Sequence, residues 1–227
     1  MDQLLSKISI EVNEKIYLKD PESSELGRRI TKGSIDLIEE MGIEEFTFRK
    51  LAQHINSTEA SVYRYFENKH KLLLYLMAWY WGWMEYKLVF SIANIECPKQ
   101  RLAKAIELLT EEIPEDNTFT HINEVKLNRI VVSESSKAFH TKQVDTENKE
   151  GVYAGYKVLV KRVSDIILEI NDCYKYPHML VSTIIEGAHY QRFFAEHLPR
   201  LTDIVEGEDA ITEFYKDMVL DVVTDKA

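Results

Sequence analysis

Eight glycines and five prolines are all that punctuate 227 residues. Each type stands at about half its usual share of roughly 7% and 5%. A chain so poor in turn-formers cannot reverse direction about every 8–12 residues, as a β-sandwich or barrel must. It has to run in few, long elements, and helices are the elements that do so. Alternation of apolar and polar residues persists nowhere beyond a few positions, with residues 8–12 as the one short stretch that could pair as a strand. The expected fold class is all-α. Apolar residues at 45% and charged residues at 29% supply a core and argue against disorder. Cys97 and Cys173 form no CxxC or zinc-spaced cluster, so neither a disulfide framework nor a structural zinc site is expected. No cofactor and no metal is expected either.

The helices announce themselves by their ends. Asp20-Pro21 offers a side-chain acceptor followed by proline at the first helical position. A helix is expected to open there, to turn Leu26, Ile30, Ile35, Leu37, Ile38 and Met41 inward, and to stop at Gly42. Thr47 caps a short second helix with Leu51, Ala52 and Ile55 inward. Asn56-Ser57 breaks it, since asparagine tolerates a left-handed backbone better than most residues. Thr58 caps a third short helix through about Tyr65, and Asn68 caps a long fourth one over 69–92. Further helices are expected over 98–113, 120–136, 146–170, 177–197 and 208–223, with a loop at 114–118. The implied organisation is an arm over 1–20, a small helical domain over 21–70 and a helical body over 71–227.

The longest uncharged run, residues 72–84 (LLLYLMAWYWGWM), has thirteen members and is too short to span a bilayer. The N-terminus is interrupted by charge and lacks a long apolar segment of the signal-peptide kind. The cytoplasm is therefore the expected location, with no membrane partner. A net charge of −10 looks unfavourable for a nucleic-acid binder. The distribution of that charge points the other way. Residues 46–75 carry Arg49, Lys50, Arg64, Lys69 and Lys71 against Glu59 and Glu67, a net of +3, whereas residues 76–227 carry a net of −8.

Two short helices joined by a tight turn are the physical design of a helix-turn-helix, whose second helix must project its start into the major groove. Leu51, Ala52 and Ile55 can pack against Val62 and Phe66, with Phe66 in the core. Glu59, Ala60, Ser61 and Arg64 are then the exposed set, and the small side chains of Ala60 and Ser61 allow close approach to bases. Tyr63 and Lys69 can reach phosphates, Lys69 also sitting at a helix N-terminus that favours an anion.

These residues carry a resemblance. FTFRKLAQHINSTEASVYRYFENKHKLL (46–73) resembles the DNA-binding signature of TetR-type, tetracycline-repressor-like regulators. The pattern is a threonine-capped helix with Leu-Ala, a turn, a Thr-capped second helix, Tyr-x-Tyr-Phe, then a lysine that opens a long helix and is followed by Leu-Leu. It covers about residues 26–76. It implies an N-terminal three-helix DNA-binding domain joined by a long helix to a C-terminal ligand-binding and dimerisation domain, and a homodimer that reads a palindromic operator in double-stranded DNA. It places Thr47 and Arg49 at backbone and base, Lys50 beside them, Glu59, Ala60 and Ser61 at the base-reading turn, and Tyr63 and Lys69 at phosphates. Asn56 stands where the family usually has glycine. Glu59 stands where lysine or a neutral polar residue is usual, and a carboxylate there can accept from cytosine N4.

In the body, Trp79, Trp83, Tyr86 and Phe90 share one face of the long helix. That face is either plain core or the wall of a cavity for a small, largely apolar or aromatic effector. His121, Glu124, Asn128, Tyr153, Tyr156 and His189 are polar residues on otherwise apolar helices that could converge on the same cavity. The wide apolar faces of 177–197 and 208–223 include Phe193, Phe194, Phe214 and Met218. In the family this pair of helices forms the dimer interface. The expected activity is that of a ligand-responsive regulator, a repressor released by its effector, and not of an enzyme. Two alternatives stand beside it. Glu186 and His189 have the E-x-x-H spacing of a metal-carboxylate helix. A DNA-binding adaptor could respond to a protein partner instead of a small molecule.

Overall fold

The computed structural model describes residues 10–114 and 121–224. Residues 1–9 of the expected arm, with the start of the 8–12 stretch, and residues 115–118 of the expected loop lie outside them. The described residues carry ten α-helices and no strand: α1 Glu25–Glu45, α2 Phe48–His54, α3 Glu59–Tyr63, α4 Lys69–Ile92, α5 Pro98–Thr110, α6 Glu124–Phe139, α7 Val144–Lys149, α8 Ala154–Ile170, α9 Pro177–His197 and α10 Ala210–Thr224. The all-α expectation holds, and most helix ends fall within a few residues of the caps read from the sequence.

Three local features differ from that reading. Asp20 does cap a turn, accepting from the Glu22 amide at 2.8 Å, but Pro21–Ser23 is a 3-10 turn. α1 starts after it, with Ser24 as its cap accepting from the Gly27 amide at 3.1 Å. Gly42, at φ 73° and ψ 161°, breaks α1, and one further turn follows to Glu45. The expected helix over 146–170 is two helices, because Gly151 turns the chain at φ 81° between α7 and α8.

The described residues divide into two compact units, one drawn from Met1–Gly82 and Ile113–Gly155, the other from Trp83–Glu112 and Tyr156–Ala227. α4 belongs to the first up to Gly82 and to the second from Trp83. In the first unit, Leu72, Leu73, Leu74, Tyr75, Leu76, Met77, Trp79, Tyr80 and Trp81 are all buried. A helix apolar all round is a core helix, and this stretch of α4 is the first unit's centre. α6 packs along α1, and ion pairs line that seam: Lys126 to Asp36 at 2.6 Å and Arg129 to Glu39 at 3.0 Å.

α1 and α2 approach at Gly33. A methyl group there would lie 2.5 Å from Ile55 Cγ2, 3.1 Å from Leu51 Cδ1 and 3.3 Å from His54 Cδ2. Residues 10–24 lie along the same unit. Ile16 is buried, the Leu18 amide donates to the Tyr65 carbonyl at 2.8 Å, and the Asn13 side chain donates to the Glu150 carbonyl at 2.9 Å.

In the second unit α5, α9 and α10 pack on one another and bury Leu102, Ile106, Ile184, Ala188 and Val219. A polar knot ties their ends. The Arg192 guanidinium donates to the Thr110 carbonyl at 2.6 Å and to both Asp209 oxygens at 2.7 and 2.6 Å, and Asp209 accepts from the Thr212 amide at 3.1 Å. Burial pushes the Asp209 carboxyl up, but its bonds to Arg192 and Thr212 outweigh that and hold it below the usual range. A carboxyl depressed by folding stabilises the fold at neutral pH, and that contribution is lost as pH falls through the depressed value. No helix among the described residues is long and apolar enough to cross a membrane.

Gly33→Ala should lower stability. Overpacking costs about 1–3 kcal/mol, and the better helix propensity of alanine returns up to about 1 kcal/mol. Ile55 is β-branched and cannot swing aside easily, so the overpacking dominates. Thermal unfolding followed by circular dichroism should show a midpoint several degrees lower. A raised midpoint would mean that α2 gives way at no cost.

Candidate nucleic-acid interface

The helix-turn-helix is built by local bonds that the sequence dictates. Thr47 is extended and its hydroxyl accepts from the Lys50 amide at 3.2 Å, which starts α2. The Ile55 amide donates to the Leu51 carbonyl at 3.0 Å and the Ser57 amide to the Ala52 carbonyl at 2.8 Å, which ends it. Between them Asn56 takes φ 49°, the only positive φ at a non-glycine among the described residues. Asparagine pays least for that geometry among residues with a Cβ. The Arg29 guanidinium of α1 donates to the Ile55 carbonyl. Thr58 is again extended, and its hydroxyl accepts from the Ser61 amide at 3.2 Å and pairs with the Ser61 hydroxyl at 2.8 Å.

Leu51, Ala52, Ile55, Val62 and Phe66 are buried, as their spacing predicts. Thr47, Arg49, Lys50, Glu59, Ala60, Tyr63 and Arg64 are exposed, while Ser61 and Lys69 are half-buried. Tyr63 is 48% exposed yet braced edge-on against Phe48, with ring centroids 4.9 Å apart. Its hydroxyl is thereby carried on a fixed ring. Two lysines are held within the protein. Lys50 Nζ donates to the Glu45 carbonyl at 2.7 Å. Lys69 Nζ donates to the carbonyls of Ile43 at 2.9 Å and Glu44 at 3.0 Å, and more weakly to that of Phe46 at 3.5 Å. The ammonium that the sequence aims at a phosphate thus serves as a cap on the end of α1. The spacing of the motif cannot show this, because the carbonyls lie 23–26 residues earlier.

The sequence reading also leaves Tyr65 and the arm without a role. Tyr65 is buried, its hydroxyl pairs with that of Ser24 at 2.7 Å, and Lys19 Nζ lies 5.0 Å from its ring centroid. Burial pushes the phenol up, and the bond to Ser24 with the positive charges of Lys19 and Arg64 more than reverses this, leaving it below the usual tyrosine range. Lys19 thus brings a cation of the expected arm beside Tyr65, just past the end of α3.

The proposed effector residues fall in both units. In the first, Trp79 and Glu124 are buried, and His121 Nε2 meets the Glu22 carboxylate at 2.7 Å. Asn128 accepts from the Tyr80 hydroxyl at 2.8 Å. Tyr153 donates to Glu147 at 2.8 Å and to the Ala138 carbonyl at 3.0 Å. In the second, Trp83 is buried with Lys87 Nζ 4.8 Å from its ring, and Tyr86 is half-buried against Phe90, centroids 4.5 Å apart. Phe90 itself is 65% exposed, so the aromatic face of α4 is buried at Trp79 and Trp83 and meets solvent at its far end. Tyr156 donates to Glu186 at 3.1 Å, and desolvation holds the His189 imidazole down at about 4. On the terminal helices Phe193 and Phe214 are exposed, and Phe194 and Met218 half-buried. No group of three or more metal-ligating side chains gathers among the described residues.

Residues 30–76 match the family described as bacterial regulatory proteins of the tetR family. No curated protein matches the sequence. Solved structures share the fold. AibR in complex with isovaleryl coenzyme A and operator DNA superposes with a TM-score of 0.56 at 16% identity, over 88% of this chain and 100% of its own. The protein described as superantigen PfiT gives 0.60 at 15%, over 89% and 97%. FadR from Bacillus subtilis in complex with stearoyl-CoA gives 0.52 at 12%, over 88% and 98%. At such identities the likeness concerns fold alone, and a superantigen among the three makes the same point.

Proposed function

We propose that this chain, whose residues 30–76 match the tetR family of bacterial regulatory proteins, is a homodimeric, non-enzymatic repressor that acts on DNA in the cytoplasm and is released by a small, largely apolar or aromatic effector. The observation that carries the reading is the exposed face of α2 and α3. It offers Arg49, Lys50, Glu59, Ala60, Tyr63 and Arg64 to solvent around a turn fixed at Asn56. Thr47, Lys50, Tyr63, Arg64 and the α4 N-terminus at Lys69 would meet phosphates. Arg49, Glu59, Ala60 and Ser61 would meet base edges.

Two copies would join through α9 and α10. On α9, Met179, Tyr190 and Phe193 are exposed at helical spacing, and on α10 Phe214 and Val222 are exposed. That apolar stripe supports the dimer. A symmetric dimer would present two α3 helices to half-sites about 34–36 Å apart. An effector held in the helical body would favour another separation, so that effector and operator oppose each other through one equilibrium. The complexes of AibR with isovaleryl coenzyme A and of FadR with stearoyl-CoA support acyl-CoA thioesters as the first effector class to test.

Selection from a random duplex pool should return a palindromic sequence bound in a steeply salt-dependent manner. Glu59 should face a cytosine, whose N4 is the usual donor to a carboxylate. Glu59→Gln should shift that one position toward adenine and raise affinity for unrelated duplexes by removing repulsion. Equal affinity of the wild type for all duplexes would sink the regulator reading, and identical selected pools would show that Glu59 reads no base. Added to the operator complex, isovaleryl-CoA or stearoyl-CoA should release the protein in a gel-shift assay while coenzyme A alone does not. A complex that survives both points away from acyl-CoA. Phe214→Glu would put a charge into an apolar interface at a cost of several kcal/mol. Light scattering should then report monomer and operator affinity should fall, whereas a wild type that is monomeric at micromolar concentration contradicts the arrangement.

A further inference from the structure

The break at Gly42 leaves a single helical turn, residues 42–46, closed by the Phe46 amide donating to the Gly42 carbonyl at 3.2 Å. This turn leads directly into Thr47, the cap of α2. A lone helical turn has unmet amides at its start and unmet carbonyls at its end, and carries the matching partial charges. Both ends are met here by charged side chains from other helices of the same unit. At the start, the Ile43 amide donates to Glu134 Oε1 of α6 at 3.1 Å. Glu134 is only 5% exposed, and its other oxygen pairs with Lys137 at 2.7 Å. At the end, Lys69 of α4 caps the carbonyls of Ile43, Glu44 and Phe46. The signs suit the turn, with the anion at its amide end and the cation at its carbonyl end, and charge-assisted bonds are the strong ones. Gly42 also clears the way, since a methyl group on it would lie 3.2 Å from Glu134 Oε1.

We propose that Glu134 is a positioning residue for DNA reading: with Lys69 it clamps the 42–46 turn between α6 and α4, and so sets where Thr47 and Arg49 stand. The inference rests on the DNA-binding reading and adds to it a route. A displacement of α6 reaches the helix-turn-helix through one carboxylate and one amide, without touching DNA. It also gives Lys69 a second role, acting through the turn, beside the phosphate contact that its position in the motif suggests.

The test uses the full-length protein and the duplex that the wild type selects. Glu134→Ala should weaken binding to that duplex at least tenfold, leave binding to an unrelated duplex within about twofold, and speed amide hydrogen exchange at Ile43 by tenfold or more. Glu134→Gln, which keeps an acceptor for the Ile43 amide, should stay within about threefold of wild type in all three measurements. Lys69→Met should also weaken operator binding. In the double variant Glu134→Ala/Lys69→Met the loss should not exceed that of the worse single variant by more than about twofold, because both act on one turn. Wild-type operator affinity in Glu134→Ala, a Glu134→Gln protein as weak as Glu134→Ala, or losses that multiply in the double variant would each overturn the proposal. A wild type that selects no duplex would instead overturn the DNA reading. Ile43 exchange then decides the clamp alone, and equal exchange in wild type and Glu134→Ala refutes it.

Discussion

The first unit depends on one contact, the approach of the α2 segment's side chains to bare α1 backbone at Gly33. Leu51, His54 and Ile55 all reach that glycine with their side chains, so a helix of only seven residues is seated closely on a neighbour that offers no side chain of its own at that point. With α2 fixed there, α3 is fixed in turn through Val62 and Phe66, both fully buried. α1 also presents Asp36 and Glu39 to Lys126 and Arg129 of α6. One helix thus seats the helix-turn-helix and pairs with α6.

The parts of this arrangement that were legible in the sequence are those held by short-range bonds. Thr47 and Thr58 cap the helices that follow them, Asn56 takes the left-handed turn, and Pro177 opens α9 where expected. Each needs only side chain and backbone a few residues apart, so the residue types alone disclose it. The parts that were not legible join residues far apart in the chain. Glu134 reaches an amide 91 positions away and Asn13 a carbonyl 137 positions away. Glu134 looks like one more acidic residue on an amphipathic helix. Lys69 was legible as a helix opener, yet where its ammonium goes depends on carbonyls that only the folded unit brings near.

The aromatic run of α4 shows a different limit. Spacing sorts residues onto faces, but it cannot say how many faces are covered. From Leu72 to Trp81 nearly every side chain is buried, so the face that carries Trp79 is no more special there than its opposite. At Phe90 that same face meets solvent. The polar residues around this helix are likewise tied in ways spacing does not reveal, as when the Tyr80 hydroxyl is taken up by Asn128.

The contact between Asn13 and Glu150 has a consequence for how the protein is made. The first unit draws on two stretches of chain separated by the first part of the second unit. On the ribosome the helix-turn-helix emerges early, but the carbonyl that holds Asn13 and the carboxylate that holds Ile43 are synthesised much later. At about 5–20 residues per second, several seconds pass in which the helices of the helix-turn-helix exist without their far-side supports. Closing so long a loop adds only modest entropy, since the cost grows with the logarithm of its length, so the delay is one of order and not of stability. A nascent chain therefore acquires its complete first unit only after α6 and α7 have left the exit tunnel.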